Sequence, residues 1–177
     1  MGKLHLGCGE KKIEGYINID IRESVKPDIV DDIGKLNNIQ NESMELIYAC
    51  HVLEHFNRIT YKNVLKRWYE VLKPNGVLKV SVPDIESVFS EYSKGTPLKK
   101  LLGFLYGGQT YPENFHYIGF DFNTLKSDLE EIGFKGIKLW DWKETDHNHI
   151  DDYSQAYLPH MDKENGVLMS LNIMGVK

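Results

Sequence analysis

Cysteine is scarce: Cys8 and Cys50 are the only two in 177 residues. Two cannot build a disulfide framework, and both read as reduced thiols of a cytoplasmic protein. Positive charge is also in short supply. Lys and Arg number 21 against 26 Asp and Glu, a formal charge of -5, whereas a nucleic-acid surface carries a basic excess. No apolar run approaches the roughly 18 residues of a membrane span. The start, Met1-Gly2-Lys3-Leu4-His5-Leu6, lacks the charged-then-apolar order of a leader, and Leu6 stands where a myristoylation motif needs Ser or Thr. No repeat, low-complexity tract or long linker divides the chain. The expectation is one cytoplasmic domain over 1–177 that binds neither nucleic acid nor membrane. Its oligomeric state is not written in the sequence.

What is present is an alternation of strands and helices. Lys3 to Gly7 reads as a short strand entering a tight turn, Tyr16 to Asp20 as a second, Pro27 to Val30 as a third and Glu45 to Cys50 as a fourth. Val64, Leu65, Trp68, Val71 and Leu72 recur at helical spacing, which predicts a helix from Thr60, its N-cap, to Leu72. Pro74 and Asn75-Gly76 stop it, and Val77 to Val82 is a fifth strand. Helices are expected over 85–94, 98–106 and 123–132, the last capped by Asn123, with strands over 137–140 and 167–176. This order argues an α/β fold built on an open parallel sheet, in which ligands bind beyond the carboxyl ends of the strands.

Gly7, Asp20, Asp32, Cys50 and Asp84 all stand at such ends. Gly7-Cys8-Gly9 lets a ligand approach the backbone closely; alone, it is equally a tight turn. Asp20, eleven residues after Gly9, offers a carboxylate to a pair of ribose hydroxyls. Asp32, with the Ile33 backbone beside it, could accept an adenine amino group, or could simply cap a helix. A dinucleotide would want a third glycine at position 12, which is Lys12, and the eight residues from Cys8 to Gly15 are too few for a helical crossover. Acids at 20, 31 and 32 would repel a diphosphate. They suit a nucleoside with a cationic tail and no phosphate, and S-adenosylmethionine (SAM) is such a ligand.

Leu4-His5-Leu6-Gly7-Cys8-Gly9, Ile17-Asn18-Ile19-Asp20, Ile29-Val30-Asp31-Asp32, Tyr48 to His55 and Val71 to Gly76 together resemble class I SAM-dependent methyltransferases, in particular the small type 11 group often encoded among surface-polysaccharide genes. The run Asp151 to Asp162 is similar to the same group. The resemblance implies a single Rossmann-like, doubly wound sheet of about seven strands, mostly parallel, with a shortened first crossover. Family topology and the long polar connection from Trp142 to Gly166 make the last strand antiparallel. It further implies that Gly7, Cys8 and Gly9 line the methionine part of SAM, that Asp20 holds the ribose and that Asp32 and Ile33 hold adenine. Cys50 and His51 would sit beside the sulfonium.

The expected function is methyl transfer from SAM, with S-adenosylhomocysteine as product, to a small polar acceptor. Ala49-Cys50-His51-Val52 replaces the Asp/Asn-Pro-Pro-Tyr turn of many amine methyltransferases, which disfavours the familiar nucleic-acid base methyltransferases. A sugar hydroxyl or sugar-linked group (a glycan precursor) is the favoured acceptor, with an amine as the alternative, and the link to polysaccharide biosynthesis is what the resemblance implies. The alternatives are a non-catalytic SAM- or nucleoside-binding module and, more remotely, an NAD-dependent oxidoreductase. An insertion over about 85–122 is expected to form a lid over the substrate. Within it His116, and next to it in rank His51, is the expected general base. Tyr117, His147, His149, Tyr153, Tyr157 and His160 are the expected substrate contacts. His51-Val-Leu-Glu54-His55 also spells an inverted zinc-protease motif, but it follows directly on a buried strand and the methyltransferase group uses those letters without metal, so no metal is expected. His147-Asn148-His149 is most simply a polar loop.

Overall fold

The computed structural model describes residues 2–177. Its main sheet contains β1 (Lys3–Leu6), β2 (Ile17–Asp20), β3 (Ile29–Val30), β4 (Met44–Cys50), β5 (Leu72–Pro83), β6 (Lys135–Leu139) and β9 (Ser170–Val176). A separate two-stranded ribbon pairs β7 (Tyr157–Leu158) with β8 (Val167–Leu168). The helices are α1 (Tyr61–Val71), α2 (Ile85–Ser93), α3 (Leu98–Tyr106) and α4 (Phe122–Ile132). The seven strands lie in the order β3-β2-β1-β4-β5-β9-β6. The first five are mutually parallel, and β9 runs antiparallel to both β5 and β6. The expected Rossmann-like sheet with an antiparallel last strand is therefore present.

Alternation along β4 explains the two layers, since successive strand residues point to opposite faces. Ile47 and Ala49 enter the larger core with Leu4, Leu6, Val80, Trp68 of α1 and Leu125 of α4. Tyr48 and Cys50 enter a second cluster with Ile13, Tyr16, Trp140 and Trp142. No helix occurs between β1 and β2. The loop that follows β6 covers that face instead: Tyr48 Oη donates to Asp152 at 2.6 Å, and Asp146 accepts from Lys3 and Tyr16 at 2.6 and 3.1 Å. The long connection thus takes the place of the helix that the short crossover cannot hold.

Helix starts differ from expectation in two places. Thr60 makes no side-chain cap; Asn57 Oδ1 accepts from the N–H groups of Ile59 and Thr60 instead. Asp121, not Asn123, caps α4, accepting from Thr124 N–H at 2.7 Å. A carboxylate serves this purpose as well as an amide, and the boundary moves accordingly. The expected strand over 167–176 is broken at Met169, which is fully buried against Val88 and Leu101 while β8 departs to pair with β7.

Candidate functional site

Strand order reverses between β1 and β4, whose Leu6 and Ala49 lie side by side. In an open α/β sheet this switch point is where connections diverge and leave a crevice. A cavity of about 320 Å³ opens there, near the lower end of the size range of small-molecule sites. Its floor includes Gly7 and Ile33, its acidic side Asp20 and Asp32, and its wall Val52, His51, His55 and Phe56. Tyr111, Pro112, Glu113 and Tyr117 reach over it from the segment between α3 and α4.

Gly7 is required by geometry twice over. Its φ is +63°, and an added Cβ would overlap Val52 Cγ1. Gly9, at φ +51°, directs its N–H to Asp20 Oδ2 at 2.8 Å. Asp20 is buried, and its Oδ1 accepts from the backbone N–H of Arg22 at 2.8 Å and from Arg22 Nε at 3.3 Å. These bonds leave about one of the four acceptor positions of the carboxylate open toward the cavity. Asp32 caps the following turn, accepting from Gly34 N–H at 2.9 Å, and pairs with Lys35 at 3.0 Å. Both readings of Asp32, cap and cavity acid, describe the same side chain. Asp31, by contrast, is spent on the backbone of Asp32 and on the backbone and side chain of Asn38. Arg22 lies over the Tyr111 ring at 4.4 Å and so joins the β2 end to the covering segment.

His51 begins the wall in a left-handed conformation, φ +50°, which a non-glycine residue holds only when its surroundings require it. Its ring stacks on Tyr153 at 5.3 Å, and its Nε2 is 2.8 Å from Ser170 Oγ. Residues 53–55 form a 3-10 turn rather than an α-helix, so the inverted zinc-protease reading loses the helical face it needs. Yet the same turn buries Glu54 completely beside three histidines. Its Oε1 is 3.4 Å from His51 Nδ1 and 3.8 Å from His116 Nε2, and neither oxygen has a hydrogen-bond partner. Burial raises the Glu54 carboxyl to about 8 and lowers His51 to about 3. Burial also lowers His55 and His116.

The other expected site residues separate. His116 is not among the residues lining the cavity; it stands behind His55, with ring centres 5.0 Å apart and Nδ1 on the Phe104 carbonyl at 2.9 Å. Cys8, Gly9 and Cys50 adjoin the cavity without lining it. Both thiols are buried, Cys8 is pushed up to about 11 by burial, and Cys50 faces the aromatic cluster. Tyr117 lines the cavity, and Tyr153 reaches it through His51. His147 is buried in the loop, 4.5 Å from the Tyr48 ring. Tyr157 lines a separate and larger groove of about 630 Å³ with Trp140 and Trp142, away from the carboxyl ends of the parallel strands. His149 and His160 are exposed and line neither. Arg22, His55 and Phe56 belong to the cavity but were missed. Arg22 had a signal, standing two residues after the ribose candidate; a partner for Tyr111 across the fold had none.

A sequence family described as a methyltransferase domain matches residues 14–80, less than half of the chain. No curated protein sequence matches. Among solved structures, a SAM-dependent methyltransferase from Archaeoglobus fulgidus superimposes with a TM-score of 0.62 at 19% identity, covering 99% of this chain and 85% of that one. A SAM-dependent methyltransferase from Mesorhizobium loti gives 0.59 at 15%, covering 99% and 90%. The fold is the one these SAM-dependent methyltransferases share, and the matched segment is that of a methyltransferase domain. They imply S-adenosylmethionine as the cofactor, and the crevice fits it with two strand-end acids and a backbone floor that admits no side chain at Gly7.

Proposed function

We propose that the chain transfers a methyl group from SAM to a hydroxyl of a small polar acceptor, a sugar or sugar-linked group. The observation that carries the methyl-transfer reading is the cavity at the β1/β4 switch point, with Asp20 and Asp32 on one side and His51 on the other. Asp20 is the ribose ligand, held by Gly9 N–H and Arg22 in the orientation that leaves an acceptor position free. Asp32 and Ile33 hold the adenine side, and Gly7 and Gly9 admit the methionine chain.

Bound SAM supplies a methyl already activated by a sulfonium. The residues of this chain align the two reactants and exclude water, which can be worth roughly 7–11 kcal/mol of barrier. The acceptor hydroxyl gives up its proton to the His51–Glu54–His55 group at the cavity wall, its oxygen takes the methyl, and the carbon–sulfur electron pair stays on sulfur as S-adenosylhomocysteine. The segment 85–122 is the lid: Tyr111 and Tyr117 close over the cavity, and Arg22 fastens the first of them. Tyr117 and Tyr153 are the substrate contacts this geometry favours. His116 reaches the cavity only through Glu54 and His55, so its effect on the proton is exerted through them.

Calorimetry with SAM, S-adenosylhomocysteine and NAD tests the cofactor, and transfer of labelled methyl to nucleotide-sugar and free-sugar panels tests the acceptor. Micromolar SAM binding with turnover on a hydroxylated acceptor is expected. SAM binding without turnover on either panel would leave a binding module, and preference for NAD would defeat the reading altogether.

A further inference from the structure

The buried group behind the cavity poses a problem of proton count. Ser170 Oγ is 2.6 Å from the Tyr153 carbonyl and must donate its only hydrogen there. It therefore accepts from His51 Nε2–H at 2.8 Å, which leaves the His51 Nδ1 lone pair facing Glu54. His116 donates Nδ1–H to the Phe104 carbonyl at 2.9 Å, which leaves its Nε2 lone pair facing the same carboxylate. His55 lies between two carbonyls, Phe115 at 3.0 Å and His51 at 3.1 Å, and a neutral ring can donate to only one of them. Its other nitrogen also carries a lone pair with nothing to accept from. Two imidazole nitrogens and a fully buried carboxyl group thus converge; an ionised carboxylate leaves no donor among them, and both Glu54 oxygens are without partners.

Only a cation reconciles such a set, either a proton or a metal ion. The spacing distinguishes them. A proton shared between carboxylate and imidazole draws the heavy atoms to about 2.7–2.9 Å. Two ligands each about 2.1 Å from one ion, at a tetrahedral angle, stand about 3.4 Å apart. The observed separations from Glu54 are 3.8 Å for His116 and, at the edge of the group, 3.4 Å for His51. Ligand atoms of Glu54, His55 and His116 all lie within 4.8 Å of one another. The outer ring nitrogens of His51 and His116 are held by a hydroxyl and a carbonyl, the support that orients metal-bound imidazoles.

We propose that Glu54, His55 and His116, with His51 at their edge, form a site for a divalent transition ion of the zinc, cobalt or manganese kind, with its open side toward the cavity. Imidazole and carboxylate donors favour this class over calcium or magnesium. The site stands on its own ligands. Its use rests on the methyl-transfer reading: an ion beside His51 and His55, which line the cavity, would acidify an acceptor hydroxyl and select acceptors that present one.

The test is a titration of the full-length, chelator-stripped protein with cobalt(II) alone, followed by visible absorption. One equivalent is expected to bind with the bands of a low-coordinate nitrogen–oxygen site. Glu54→Gln and His116→Gln should each weaken binding by at least the roughly ten- to hundredfold that loss of even a supporting partner costs. Thermal melts verify that the variants are folded, and the wild-type titration decides if one is not. No saturable equivalent in the wild type would overturn the site and leave a proton in its place. Binding that survives in both folded variants would overturn it as well. SAM calorimetry on the same samples separates the two readings. SAM binding without cobalt binding defeats the metal site alone; cobalt binding without SAM binding defeats the methyl-transfer reading alone.

Discussion

At the scale of single residues, two adjacent strand ends carry carboxylates with opposite assignments. Asp20 keeps an acceptor position toward the cavity, whereas Asp31 gives its oxygens to the Asp32 and Asn38 amides. Asp20→Ala should therefore weaken SAM binding more than tenfold, since hydrogen bonds to a charged acceptor are worth about 1.5–3 kcal/mol each. Asp31→Ala should act chiefly on stability, costing about 1–3 kcal/mol for the amides it leaves unpaired. Equal losses of SAM affinity, measured by calorimetry, would remove the ribose assignment from Asp20. The cysteines make a second comparison. Burial pushes Cys8 up to about 11 and raises Cys50 well above the ordinary thiol range, so little thiolate is present at pH 8. Native protein should resist iodoacetamide at that pH and take up two equivalents in urea, as read by mass spectrometry. Rapid labelling of native Cys50 would contradict its place in the aromatic cluster.

At the scale of elements, the covering segment and the β6–β7 loop do work that no helix does. Tyr111 closes over the cavity and is fastened by Arg22 across it. Arg22 also holds Asp20, so Arg22→Ala should loosen both the covering segment and the proposed ribose ligand, whereas Tyr111→Phe should leave SAM affinity within about twofold because the ring face is kept. Tyr111→Ala should fall between them. If Arg22→Ala and Tyr111→Phe bind SAM equally well, the lid contact has no part in binding. The loop is legible in sequence only as a long polar connection. Its covering role depends on Tyr48 meeting Asp152 and on Tyr16 and Lys3 meeting Asp146, partners more than 100 positions apart.

At the scale of the whole molecule, the burial that shapes the site also sets the response to acid. His5, in the middle of β1, is buried and hydrogen-bonded through Nδ1 to Asn18 at 3.0 Å, and it is lowered from 6.5 to about 4, chiefly by burial. Asp152, Asp20 and His147 are the charged or titratable groups that act on it. The unfolded chain binds its proton near pH 6.5 and the folded chain only near 4. Stability from this residue is therefore complete above about pH 6.5 and is lost as pH falls toward 4, by up to roughly 3 kcal/mol. Urea midpoints should drop over that window, and His5→Gln should flatten the slope. A midpoint that rises on acidification through the same window would reverse the sign of this argument.

The sequence by itself determined the strand order along the chain, the missing first helix, the strand-end acids and the antiparallel last strand. The first three follow from local pattern, spacing and connection length, which chain neighbours set; the antiparallel last strand needed the family resemblance beside the long polar connection. It also determined that His51, Glu54 and His55 would lie close together, since five residues cannot separate far. Only the tertiary structure decided that His116, 61 positions after His55, completes that group behind the cavity wall, and that Arg22 meets Tyr111 across the opening. Only the fold decided, too, that His147 turns inward while His149 faces water. The physical reason is common to all three. Side-chain convergence across a fold depends on how layers pack, and packing direction leaves no trace in spacing or composition.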